Sequence, residues 1–190
     1  RALLSDPRRV ALALAPAGSG KTTAMRALAD TARALGLTPI GLAPSAAAAA
    51  VLGEATGMPT DTLAKLDHTL TTGGSCGIEP NTLVVIDEAG MADTLTLDRV
   101  IAAFSAVGAR VRLIGDDQQL AAVGAGGVLR DIASVHGAAR LNEVIRFTDP
   151  VEATASVALR GGDRAALGFY LDHDRVHTGD TDTCLANVLE

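Results

Sequence analysis

Lys21 stands in the stretch APAGSGKT, residues 15–22, and is one of only two lysines in a chain that carries fourteen arginines. Beside phosphate the two cations are not interchangeable. A compact ammonium on a flexible stem follows the β- and γ-phosphates inside a crowded loop, where a planar guanidinium does not fit. Glycines at positions 18 and 20 let backbone N–H groups turn inward onto phosphate oxygens, and a helix opening at the end of the loop adds its positive end. Thr22 supplies a hydroxyl suited to Mg²⁺. The expected cradle for a nucleoside triphosphate is therefore Pro16, Ala17, Gly18, Ser19, Gly20, Lys21 and Thr22, with Ala15 where a first glycine is usual.

Two acids are spaced to act on the same ligand. In LVVIDEAG, residues 83–90, an apolar run ends at Asp87 and Glu88 follows at once. Ligands of open α/β sheets sit at the carboxyl ends of strands, so both acids reach the edge of the phosphate loop. Asp87 would hold Mg²⁺, directly or through water. Glu88 would orient, or take a proton from, the water that attacks the γ-phosphorus, which points to hydrolysis rather than transfer to a metabolite. The stretch LIGDDQQLAAVGAGG, residues 113–127, repeats this logic on a further strand. It brings Asp116 to Gln119 to the same rim, where a neutral amide could touch the γ-phosphate and report its presence.

The elements that must position these groups alternate. Val10–Ala15 reads as a strand buried on both faces, and Thr22–Leu35 as a helix stopped at Gly36. TPIGLAP reads as a strand, SAAAAAVLGEATG as a helix with an N-cap serine, and Asp61–Leu70 as a shorter helix. LVVID at 83–87 and RVRLIG at 110–115 read as strands, with helices near Leu95–Ala106 and Val128–Val135. Such alternation predicts right-handed crossovers, a mainly parallel sheet and helices on both faces. After Leu141 the pattern turns mostly helical, with one strand near Val176, a turn at RGGDR, and the start of a second unit.

Composition narrows the classes. Apolar residues make up 48% of the 190 and charged residues 20%, enough for a buried core. Aromatics are confined to Phe104, Phe147, Phe169 and Tyr170, so that core is aliphatic. A net charge of −6 argues against a strongly basic nucleic-acid platform, although a local groove can still be electropositive. Cys76 and Cys184 have no CxxC spacing, which fits a reducing cytoplasm without disulfide or zinc. RRVALALAP reads as a buried strand rather than a signal peptide, and no apolar run is long enough to cross a membrane. His173 and His177 lie beside Asp172 and Asp174, but Val176 between them suggests a strand rather than a metal-binding helix. The chain opens at Arg1 rather than Met, as expected of a piece of a longer polypeptide.

With these stretches in hand, the chain resembles the ATPase core of superfamily 1 DNA helicases. The likeness is to the RecD-like branch, including the helicase region of TraI/TrwC-type conjugative relaxases. APAGSGKTT, which adds Thr23, looks like motif I and GLAPSAAAAAVL like motif Ia. VVIDEAGM resembles motif II, and IGDDQQLAAVGAG resembles motif III with Gln119 on the family's glutamine. LNEVIRF is similar to motif IV, which carries an arginine contacting the γ-phosphate, here Arg146. These motifs run in the family's order over residues 10 to 147.

The resemblance implies an α/β fold: a P-loop NTPase, RecA-like lobe over residues 1–142, then the mostly helical beginning of a second such lobe at 143–190. It implies ATP and Mg²⁺ as ligands and single-stranded DNA as partner, with translocation 5′ to 3′. Pro44, Ser45 and Thr62 would lie on the DNA-facing rim. An adenine-reading glutamine would precede Arg1, motifs V and VI would follow Glu190, and an N-terminal relaxase domain would be a further part of the polypeptide. A nucleotide-gated scaffold lobe without turnover is the alternative, and the presence of Glu88 speaks against it. A P-loop kinase is weaker still, since DEAG followed by GDDQQL offers no acceptor pocket or basic lid.

Overall fold

Runs of aliphatic residues form the middle of a six-stranded sheet in which every pairing is parallel. The computed structural model describes residues 2–16, 18–74, 76–119, 127–141, 147–176, 178–182 and 184. The strands are β1 (Val10–Leu14), β2 (Thr38–Ala43), β3 (Thr60–Thr62), β4 (Thr82–Ile86), β5 (Arg110–Gly115) and β6 (Ala139–Arg140). Their order across the sheet is β3-β2-β4-β5-β1-β6. Helix α1 (Ala2–Ser5) precedes β1, and helices α2 (Lys21–Ala34), α3 (Ala46–Thr56), α4 (Leu63–Thr71), α5 (Thr94–Ala106) and α6 (Val128–His136) connect the strands.

Alternation along each strand splits the core into two layers, because successive side chains point to opposite faces. Leu42, Ile86, Leu113 and Leu12 stand side by side across four strands. They pack with Leu63, Leu97, Val100, Phe104 and Leu129 from α4, α5 and α6. Leu83, Val85 and Ile114 face the other way, onto Met25, Leu28, Ala29 and Ala32 of α2 and Leu52 of α3. Helices thus cover both faces, and Phe104 is the one aromatic that fills either described layer.

The alanine-rich α3 lies close to the sheet. A methyl group on Gly41 would sit 2.7 Å from Leu52 Cδ2 and 2.8 Å from Thr60 Cγ2. Arg112 puts a charged side chain into this buried pattern. Its side chain is buried, and it donates to the carbonyls of Leu3 (2.6 Å), Arg9 (3.1 Å) and Asp6 (3.3 Å), fastening the α1–β1 junction to the sheet.

Two local expectations are corrected, and one short strand is added. Residues 60–62 form the edge strand β3 against Gly41–Ala43, so the following helix starts at Leu63. The Thr62 hydroxyl caps that helix by accepting from Lys65 N at 3.2 Å, and β-branched Thr60 and Thr62 suit a strand better than a helix start. Ala139–Arg140, too short to carry a period, pairs with the end of β1. No strand forms near Val176 among the described residues. There the chain turns back at Asp174, Arg175 N donates to Tyr170 O (2.8 Å), and the Arg175 side chain pairs with Glu152 at 3.0 Å.

The chain divides into two compact units, Arg1–Glu143 and Val144–Glu190. The second holds α7 (Pro150–Arg160), a 3-10 turn at Arg164–Ala166 and α8 (Leu167–Asp172). Asp149 caps α7 by accepting from Val151 N at 2.8 Å, and His173 stacks on Phe169 with ring centres 4.1 Å apart. No helix among the described residues is long and apolar enough to cross a membrane.

Candidate nucleotide site

Every strand of a parallel sheet ends on the same edge, and the residues singled out from the sequence follow those ends. The phosphate loop leaves β1 at Leu14, and α2 begins at Lys21 itself. Ala15 N donates to Gly115 O (2.8 Å) and Ser19 N to Pro16 O (3.1 Å), which sets the loop's path. Gly18 and Gly20 take φ of 78° and 76°, a left-handed conformation that a side chain would strain. Gly20 caps α2 without any side-chain hydrogen bond, so first-turn N–H groups are left for a ligand. The Ser19 hydroxyl is buried with no hydrogen-bond partner among the described residues. A loop with open N–H groups, a flexible cation and an unmatched hydroxyl fits a phosphate chain.

The acids meet that cation. Asp87 N is held by Leu42 O (2.9 Å), and its carboxylate accepts from Glu88 N (2.9 Å). Lys21 Nζ lies 3.2 Å from Asp87 Oδ1 and donates to Glu88 Oε1. Glu88 reaches it from a left-handed backbone at φ 49°, which costs a non-glycine residue about 1–2 kcal/mol. Burial pushes the Lys21 ammonium down, but the Glu88 hydrogen bond and the charges of Asp87 and Glu88 outweigh it, and the net direction is up. Asp87 goes up as well, because burial outweighs what Lys21 returns. The two directions agree physically: one ammonium shared between two carboxylates cannot fully neutralise either.

That leaves excess negative charge beside a phosphate cradle, a setting suited to Mg²⁺. Among the described residues no three His, Cys, Asp or Glu side chains cluster as a metal cage. Mg²⁺ needs none, since it is held by one or two protein oxygens plus substrate phosphates. Asp87 and Thr22, the latter in the exposed first turn of α2, are the residues of the right type.

Gln119 is exposed on the same rim and lines a small cavity with Gly90, Asp116, Asp117, Leu129 and Arg130, beside the turn that follows Glu88. Asp116 is buried and braces this loop by accepting from Gln118 N at 2.9 Å. Pro44 follows β2 and Thr62 ends β3, so both lie on this edge with Ser45. The two hydroxyls already cap helices: Ser45 Oγ accepts from Ala48 N (3.2 Å), as Thr62 does for α4. Thr23 follows Thr22 in α2. Ala17 and Arg146 lie outside the described residues. Arg140, which the sequence reading passed over, pairs with Asp117 at 3.6 Å. It sits in a two-residue strand that leaves no periodic signal.

The family model described as an AAA domain matches residues 1–181. The chain is 30% identical over 174 residues to the conjugal transfer protein TraA of Agrobacterium fabrum, covering 91% of this chain and 16% of TraA. It is 37% identical over 151 residues to the ATP-dependent RecD2 DNA helicase of Deinococcus radiodurans, covering 75% of this chain and 20% of that protein. With the multifunctional conjugation protein TraI of Escherichia coli K12, identity is 30% over 179 residues, or 89% of this chain and 10% of TraI. The chain thus spans a fifth or less of each of these relatives. A six-stranded parallel sheet, a phosphate loop meeting two acids at its edge and a match over nearly the whole length agree: the chain belongs to the AAA domain family, as a P-loop ATPase domain related to TraA, TraI and RecD2.

Proposed function

We propose that this domain is the ATP-hydrolysing lobe of a DNA helicase that translocates 5′ to 3′ on single-stranded DNA, within a longer conjugative protein. The observation that carries this reading is the meeting of Lys21, Asp87 and Glu88 at one strand edge. RecD2, by its name, is an ATP-dependent DNA helicase, and TraA and TraI are conjugation proteins, which supports the DNA substrate and the setting.

On this reading Lys21 leaves Glu88 for the β- and γ-phosphates of ATP. Glu88, released, orients the attacking water and accepts its proton. Thr22 and Asp87 would hold Mg²⁺, which would neutralise charge at the phosphates. Gln119 senses the γ-phosphate from its rim, and Arg146, carried by the stretch LNEVIRF at the start of a second RecA-like lobe over 143–190, is the arginine assigned to the same phosphate. Pro44, Ser45 and Thr62 line a phosphodiester track, where backbone and hydroxyl contacts grip without reading bases.

The test uses the full-length protein: ATPase with and without single-stranded DNA, and unwinding of duplexes bearing a 5′ or a 3′ tail. DNA-stimulated hydrolysis with unwinding from the 5′ tail is the expected result. Nucleotide binding and DNA binding without turnover would instead establish a gated scaffold.

A further inference from the structure

Two glycines flank the proposed chemistry, and one side chain packs against both. Gly90 lies two residues after Glu88, and Gly115 closes β5 just before Asp116–Gln119. Leu129 of α6 is 2% exposed. A methyl group built on Gly115 would stand 2.7 Å from Leu129 Cδ1, and one built on Gly90 would stand 3.1 Å from the same atom. The Gly115 methyl would also meet the backbone N of Gly90 at 3.4 Å. One leucine methyl therefore fills a socket formed by the backbones of both loops.

We propose that Leu129 is a positioning residue that ties the Glu88 turn to the Gln119 loop, so that the water-orienting acid and the phosphate-sensing amide shift together. Packed interiors move between discrete arrangements rather than deforming smoothly, and a shared knob makes two loops adopt one arrangement at a time. The left-handed backbone at Glu88 needs the same support, since such strain persists only where the surroundings over-determine it. The inference rests on the ATPase reading above.

The test compares Leu129→Ala and Leu129→Met with the wild type in the full-length protein. Leu129→Ala is expected to lower kcat for ATP by roughly ten- to a hundredfold while affinity for a non-hydrolysable ATP analogue stays within about twofold. Leu129→Met, which refills the socket, is expected to restore most of kcat. Amide hydrogen exchange is expected to rise in Leu129→Ala at residues 89–91 and 115–119 together, and not in β2. Unchanged kcat in a folded Leu129→Ala overturns the proposal. So does a joint fall of kcat, affinity and thermal stability that Leu129→Met leaves uncorrected, because that pattern belongs to an ordinary core leucine. If Leu129→Ala does not fold, Leu129→Val makes the same comparison with a smaller void. A wild type that binds but never cleaves ATP refutes the ATPase reading alone. The exchange arm then still decides, since loosening confined to one loop refutes the tie.

Discussion

Lys21 is the residue on which both halves of the site depend. It balances two acids, and in the proposed cycle it must exchange them for phosphate. Lys21→Ala in the full-length protein is expected to abolish nucleotide binding as well as hydrolysis, measured with a fluorescent nucleotide and by phosphate release. Glu88→Gln separates the two steps. It keeps a hydrogen-bonding side chain but removes the base, so ATP binding should persist while kcat falls about 10²- to 10⁴-fold. It also takes one acid from Lys21, so the variant should hold nucleotide at least as tightly as the wild type. Unchanged turnover would take Glu88 out of the mechanism.

At the scale of elements, the strand ends carry chemistry and the strand bodies carry the load. Ser45 tests whether the rim touches DNA, because its structural duty can be met by another residue. Asp caps helices as well as Ser. Ser45→Asp should therefore leave the melting temperature unchanged while repelling a phosphodiester backbone and weakening single-stranded DNA binding several-fold in a filter or anisotropy assay. Equal DNA affinity would remove Ser45 from the track. At the opposite end of the sheet, Arg112→Met would leave the partly buried carbonyls of Leu3 and Asp6 without this donor, while Arg9 O keeps its bond from Val111 N. Unmet buried acceptors cost about 1–3 kcal/mol, readable by denaturant unfolding, with the loss largest in hydrogen exchange around α1. Near the middle, Gly41→Ala would drive a methyl into Leu52 and Thr60 and cost about 1–3 kcal/mol by overpacking.

For the whole molecule, a net charge of −6 sets the character of any DNA contact. Binding by backbone amides and hydroxyls on an acidic surface releases few counterions, so the salt dependence contributed by this domain should be shallow. The 190 residues alone should bind nucleotide weakly and hydrolyse it slowly. An arginine supplied from a partner lobe is worth roughly 10³-fold or more in comparable nucleotidases. Brisk DNA-independent turnover by these 190 residues would contradict the proposed arginine from a second lobe.

What the linear chain determined is chemical type and local rhythm. A glycine-flanked lysine between an apolar run and a helical period, and an Asp-Glu pair closing another apolar run, announced a P-loop nucleotide-binding domain and a parallel α/β sheet. Those signals are local, because loop conformation and strand burial follow from neighbouring residues. The strand order came only from the fold. It inserts β5, ending in side-chain-free Gly115, between the strand before the phosphate loop and the strand that ends beside Asp87. β3 and β6 escaped notice because two or three residues carry no period, and they form only by pairing with β2 and β1. Arg140 beside Asp117, Arg112 among backbone carbonyls and Leu129 beneath two loops are likewise contacts between residues distant in sequence. Side-chain type foretells none of them, because each depends on which surfaces the packed layers bring face to face.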